Sequence, residues 1–433
     1  MHSVHHTDVP RCWRRLFTDV TLLMVLADLQ LEPSSNPDLF YKGLVGRLDE
    51  AIVIANSPGK GRVDMCHDTI ASIQEEYLPL KDPAGPSTSP AGRQFPLPLS
   101  SSLHVPRLFE PPSAMDFREW YYTKPFIINK YAADWPACAN WCSPQYLRAV
   151  GGLGRKVPVE TISSSGEDYT SESWTTSLMD WEEFLDALCR PPLNKNLLNQ
   201  PPVEEWSGPS HYLAQHDLIN QFPELRGDII VPDYVYSGVQ PPSDQFLKYH
   251  PPNVEGNLVI NNWIGPKGTI TPAHIDPYFN CYVQVVGKKT VWLAPTRFKE
   301  EMYPYPNTKA DGQATLTIER KPANCLSETQ ASLILPQSTP SITPPAPAAT
   351  SDPVASRSPQ KPVSSSSMLS NTSRVPVFSL TSSSREKFPK FFSHVQPQAM
   401  SAVLEPGDLL FFPPGWWHAM RSEETSASVS MWF

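Results

Sequence analysis

Apolar positions recur at helical spacing through the first eighty residues, and the period then changes. Leu16, Phe17, Val20, Leu23, Met24, Ala27 and Leu31 fall on one stripe of a helix, which predicts a packed helix over Leu16 to Leu31. Asn36-Pro-Asp is a start signal, and Leu39, Phe40, Leu44, Leu48, Ile52 and Ala55 continue at the same spacing. A third segment, from about Arg62 to Tyr77, puts Val63, Cys66, Ile70, Ile73 and Tyr77 on one side. Residues 1–80 therefore read as a small all-α module, for docking or interaction, with no chemistry-bearing motif. Residues 81–104 are rich in Pro and Ser and read as a linker.

From Val105 to the end, 105–433, the pattern is that of one larger domain. Met115–Tyr122 and Ser177–Leu188 have helical spacing, and Ser143-Pro opens another helix. Pro125–Asn129, Lys156–Glu160 and His211–Gln215 read as strands, with a turn toward helix after Gln215. Between Leu258 and Leu293 short apolar strands alternate with Gly and Pro breaks: Leu258–Ile264, the segment around His274, Cys281–Val286 and Lys289–Leu293. The pattern predicts a mainly β, antiparallel double-sheet barrel with flanking helices. A stretch at about 310–385 is mostly Ser, Thr, Pro and Ala. It has too little apolar surface to order itself and reads as a disordered insertion in a barrel loop. Structure resumes at Phe388-Pro-Lys-Phe-Phe, Ala402–Leu404 and Asp408–Phe412. The chain closes on the alternating strand Ala427–Phe433.

Composition narrows the function classes. Of 433 residues, 40% are hydrophobic, enough for a sizeable core. The 49 prolines are about double average usage and belong to connectors. A net charge of −9 and a pI of 5.7 argue against nucleic acid as a main ligand and suit a basic peptide. Seven scattered cysteines suggest reduced thiols in an intracellular protein. Cys138 and Cys142, without a second pair, read as buried thiols rather than a zinc site. Leu16–Leu31 carries Asp19 and Asp28 and is too short to span a membrane. With no Lys/Arg-rich import run, nucleus and cytoplasm both stay open.

The chemistry is concentrated in Thr271-Pro-Ala-His-Ile-Asp-Pro-Tyr-Phe-Asn280. On an extended strand, His274 and Asp276 point the same way. Far downstream, Gly407 to His418 reads as an apolar strand, a Pro-Pro-Gly turn and a histidine just past it. Two His and one carboxylate around one ion leave three positions open, the pattern of non-haem Fe(II) oxygenases.

The segments that surround these residues resemble a known family. Val157-Pro-Val-Glu, Tyr212-Leu-Ala-Gln-His216, Phe222-Pro-Glu-Leu, Trp263-Ile-Gly-Pro-Lys-Gly-Thr-Ile-Thr-Pro-Ala-His-Ile-Asp-Pro, Val283-Gln-Val-Val-Gly-Lys-Lys and Ser428-Val-Ser-Met-Trp occur in its order. From about Val105 onward the chain resembles a JmjC-domain protein of the cupin superfamily. It is nearest to the subfamily of arginyl hydroxylases also described as histone lysine demethylases. The resemblance implies a double-stranded β-helix (jelly-roll or cupin) barrel. It implies Fe(II) on His274, Asp276 and His418, with 2-oxoglutarate and O2 as co-substrates. Lys289 would pair with the distal carboxylate of 2-oxoglutarate, and Tyr212, Thr271 and Asn280 would supply neutral donors. Spacing alone does not choose between Lys288 and Lys289. Trp263 and Trp432 would wall the pocket. Glu160 matches a position where an acid faces a guanidinium, and Tyr169 is a looser candidate beside it.

The function implied is hydroxylation of a protein side chain, arginine first. The same site would also serve histone N-methyl-lysine demethylation, because hydroxylating an N-methyl carbon releases formaldehyde. A non-catalytic cupin scaffold is the reading from another class. The implied partner is a protein or peptide, a histone or other basic protein among them.

Overall fold

In the computed structural model, residues 9–80, 98–162, 175–189, 210–241, 249–305 and 371–433 are described, apart from residues 32, 34, 35 and 99. Most of the expected linker, Tyr169 and most of the expected insertion lie outside them, but Leu103 and His104 at the linker's end form a short strand. The described residues belong to one compact unit.

Three helices open the chain: α1 (Arg11–Asp28), α2 (Pro37–Ala55) and α3 (Arg62–Tyr77). The start of α2 is set by local chemistry. The Asn36 side chain accepts from the Leu39 amide at 3.2 Å, and Pro37 occupies the first helical position, where no amide partner is needed. Leu22, Val25, Leu44, Val45, Leu48, Ile52, Cys66, Ile70 and Ile73 form the core of the three. The helix over Leu16–Leu31 is present, but the face expected to pack is the wrong one. Thr18, Thr21, Leu22 and Val25 point inward, while Leu16, Val20, Met24 and Leu31 are exposed and Leu23 is 67% exposed. Thr18 tolerates burial because its hydroxyl donates back to the Arg14 carbonyl at 3.1 Å.

Among the described residues, fourteen strands make two sheets. In chain order they are β1 (Leu103–His104), β2 (Arg107–Leu108), β3 (Phe126–Ile128), β4 (Lys156–Ile162), β5 (Thr175–Asp180), β6 (Ser210–His216), β7 (Val259–Gly265), β8 (Ile270–Ile275), β9 (Asn280–Val286), β10 (Lys289–Ala294), β11 (Met400–Leu404), β12 (Leu409–Phe412), β13 (Trp417–Ser422) and β14 (Ser426–Trp432). One sheet has the order β1-β11-β10-β13-β8, the other β2-β3-β12-β9-β14-β7-β6-β4-β5. Pairing is antiparallel except where β1 and β2 join. The expected barrel of two sheets is therefore present, with short helices between strands: α4 (Ala114–Asp116), α5 (Pro136–Asn140), α6 (Pro144–Gly151), α7 (Trp181–Cys189), α8 (Leu218–Gln221) and α9 (Ser384–Lys387). The helix expected over Ser177–Leu188 begins later. Residues 177–180 pair with β4 instead, and the helix starts at Trp181.

The expected disordered stretch also ends earlier than its composition suggests. The Ser373 amide donates to the Ala273 carbonyl at 2.7 Å, and Thr372 bridges to His274, so this segment lies along the edge of β8. Val375 and Val377 are buried with Trp292, Phe391 and Trp417. Backbone pairing and two valines order a segment that looks too polar to fold.

The hairpin between β9 and β10 turns on Gly287, at φ +66°. A Cβ there would run into the Thr425 carbonyl, a backbone atom that has nowhere to go. Gly287→Ala is expected to cost about 2 kcal/mol or more, combining left-handed strain with that clash, and urea unfolding would read it. Among the described residues, no helix is long and apolar enough to cross a membrane.

Candidate active site

His274 on β8 and His418 at the start of β13 are directly opposite each other across an antiparallel pair. Opposed residues of neighbouring strands carry their side chains side by side, and the two imidazole centroids lie 4.2 Å apart. Asp276 stands just past the end of β8. Its carbonyl accepts from the Gly415 amide at 2.8 Å, which ties the Pro-Pro-Gly turn to the metal strand and explains why that turn precedes His418. The Asp276 carboxylate is 3.7 Å from His274 Nε2 and 3.4 Å from His418 Nε2. One ligand atom from each of the three residues fits within 4.8 Å of the others.

Both imidazoles are oriented by the backbone. His274 Nδ1 donates to the Pro272 carbonyl at 2.8 Å, and His418 Nδ1 donates to the Trp416 carbonyl at 3.1 Å. Carbonyls only accept, so the proton sits on Nδ1 and the Nε2 lone pairs face the carboxylate. Burial, helped by the neighbouring His418, lowers His274 to about 4, which keeps its ring neutral and able to ligate. Burial alone would raise Asp276, but the two imidazoles outweigh it and the carboxyl ends below its usual range. Two imidazoles and a carboxylate suit a divalent first-row metal.

A small, partly open cavity adjoins the three. Tyr212 on β6, Trp263 on β7, Thr271 on β8 and Asn280 on β9 line it, so four of the residues expected there come together. Trp432 is not among its lining residues and packs on Tyr278 instead. Lys289 starts β10, is only 1% exposed, and makes no ion pair among the described residues. Its Nζ donates to the Tyr282 hydroxyl at 3.1 Å, and burial drags its pKa down to about 7. Lys288, by contrast, pairs with Glu405 at 2.9 Å on the outside. Geometry thus separates two lysines that spacing could not. Asn280 Oδ1 is likewise buried without a hydrogen-bond partner. A dry ammonium without an anion is what a carboxylate-bearing ligand would satisfy. Glu160 sits on β4 opposite Tyr212, beside the cavity rather than in it.

Sequence reasoning missed Tyr282, Phe412 and Met420, which also line the cavity. Two of them could have been found by strand alternation: Tyr282 is two positions past Asn280, and Met420 two past His418.

A cupin-like domain family model matches residues 116–433. The chain is 31% identical over 318 residues to Lysine-specific demethylase JMJ30 of Arabidopsis thaliana, covering 73% of this chain and 51% of that protein. It is 29% identical over 337 residues to Lysine-specific demethylase 8 of Xenopus tropicalis, covering 77% and 54%. It is 25% identical over 209 residues to the Bifunctional peptidase and (3S)-lysyl hydroxylase JMJD7 of Homo sapiens, covering 47% and 59%. The chain spans about half the length of these first two relatives. The matched span contains both sheets' central strands and every residue around the cavity, and the chain belongs to the cupin-like domain family, as a JmjC-type member.

Proposed function

We propose that this protein is an Fe(II)- and 2-oxoglutarate-dependent dioxygenase that hydroxylates a protein side chain, arginine first among the candidates. One observation carries the reading. A three-ligand set that leaves metal positions open lines a cavity together with Tyr282, whose hydroxyl accepts from a buried lysine that makes no ion pair among the described residues. His274, Asp276 and His418 would hold the iron. Lys289, with Asn280, Thr271 and Tyr212, would hold 2-oxoglutarate. When bound, iron and 2-oxoglutarate supply the oxidising chemistry: O2 is consumed, succinate and CO2 leave, and one oxygen atom enters a C–H bond.

The protein's own part is positional. The Pro272 and Trp416 carbonyls hold both imidazoles in the ligating tautomer. Trp263, fixed by its Nε1 donation to Ser430 Oγ at 2.9 Å, and Phe412 keep bulk water from the ligands. Glu160, on the strand facing Tyr212, is the acid proposed to pair with a guanidinium. A net charge of −9 suits a histone or other basic protein as partner. The free thiols of Cys12, Cys66, Cys138, Cys142 and Cys281 suit an intracellular setting, nuclear or cytoplasmic.

The names of the two demethylase relatives favour one second reading, histone N-methyl-lysine demethylation. Incubation with Fe(II), 2-oxoglutarate and arginine or methyl-lysine peptides decides between them. A mass gain of one oxygen on arginine without formaldehyde supports the first. Formaldehyde with loss of a methyl group supports the second, and no succinate with any peptide removes both.

Lys289 also makes a pH prediction. In the ligand-free protein its charge is lost as pH rises through about 7. A dicarboxylate pairs with the charged form and holds that proton to higher pH. Affinity for 2-oxoglutarate is therefore expected to fall above pH 7 by up to about tenfold per unit, with proton uptake on binding. Calorimetry in buffers of different ionisation enthalpy measures both, and Lys289→Met should abolish the dependence.

A further inference from the structure

Tyr282 is a cavity residue that no motif singles out. It stands two positions beyond Asn280 on β9, so both side chains enter the space between the sheets. Lys289 reaches the same place from the opposite sheet. Its ammonium lies 5.8 Å from the ring centroids of both Tyr212 and Tyr282. The Tyr282 hydroxyl accepts from Lys289 Nζ at 3.1 Å. It is the one polar side chain bonded to that ammonium among the described residues.

A lysine ammonium is a point charge on a flexible stem, with no directional preference of its own. Its position in a dry cavity is set by whatever holds it. Resting on the co-substrate reading above, we propose that Tyr282 is the positioning residue that pins Lys289. It thereby sets the length of the 2-oxo dicarboxylate the cavity takes. The metal ligands fix one end of such a molecule and the pinned ammonium fixes the other. A chain one carbon longer must push the ammonium off the phenol and leave a buried donor unpaired. Burial also pushes the Tyr282 phenol up, so it stays neutral and acts through its hydrogen bond.

The test uses the 433-residue chain loaded with Mn(II), titrated calorimetrically with 2-oxoglutarate and with 2-oxoadipate, the homologue one carbon longer. Tyr282→Phe removes only the hydroxyl. It is expected to weaken 2-oxoglutarate binding about tenfold. The preference for 2-oxoglutarate over 2-oxoadipate is expected to shrink by a similar factor. In turnover, KM for 2-oxoglutarate should rise while kcat at saturation holds, a split that a merely structural role would not produce. Tyr282→Met, which fills similar space without a hydroxyl, should move binding in the same direction, and it serves alone if the Phe variant does not fold. Unchanged affinity and unchanged preference in the folded variants overturn the proposal and leave the co-substrate reading intact. Failure of the unmodified chain to bind 2-oxoglutarate overturns both.

Discussion

Asp49→Ala is expected to lower the stability of the protein by about 3–5 kcal/mol, although Asp49 is in a helix remote from the metal ligands. Its carboxylate, fully buried, takes Arg155 Nε at 2.9 Å and Nη2 at 2.9 Å, and also the Lys156 amide at 2.8 Å. The guanidinium in turn donates to the Gln221 carbonyl at 2.7 Å and stacks over Phe222. This one pair joins α2 to the start of β4 and to α8. Truncating the acid leaves a charge that is 5% exposed with no counter-ion, and that desolvation penalty is the source of the loss. Replacing both partners with apolar residues of similar volume, Asp49→Leu with Arg155→Met, should recover most of it. Urea titrations of the three variants measure this. A loss below about 1 kcal/mol for Asp49→Ala would put the pair in the class of surface bridges and refute the argument.

The second large effect is at the metal. His274→Ala removes one of three ligands and opens the wall against which His418 is held. Removing even a group that only orients a ligand typically costs 10–100-fold in metal affinity. Loss of the ligand itself should exceed about a hundredfold, with succinate release falling to background. Mn(II) titration reads the first and a succinate assay the second. Unfolding should shift little, since among the described residues the imidazole's one hydrogen bond is to the carbonyl two residues back. Turnover that persisted in this variant would end the enzyme assignment.

What could be read in the chain, and what could not, follows from distance in sequence. Strand alternation puts His274 and Asp276 on one side, and a Pro-Pro-Gly turn before His418 is visible by eye. The helix over Pro37–Ala55 follows from its cap and spacing, and that over Arg62–Tyr77 from spacing alone. Local periodicity could not choose the buried face of α1, because that helix is apolar on two sides and hides two threonines. Nor could it see that residues 177–180 have a strand partner in β4. The Asp49–Arg155 pair joins residues 106 apart, and nothing in either segment announces the other. Lys288 and Lys289 are adjacent and chemically identical. Only the register of β10 sends one to Glu405 and the other to Tyr282.

The edge that residues 371–373 add beside β8 has a practical corollary. The Tyr305 amide donates to the Thr372 carbonyl at 3.0 Å, and Pro304 bridges to Ser373. The two stems of the intervening segment are thus clamped together independently of what is spliced between them. Because each doubling of such a segment costs only about 0.6 kcal/mol in closure entropy, a reporter domain or a four-residue graft should be accommodated there.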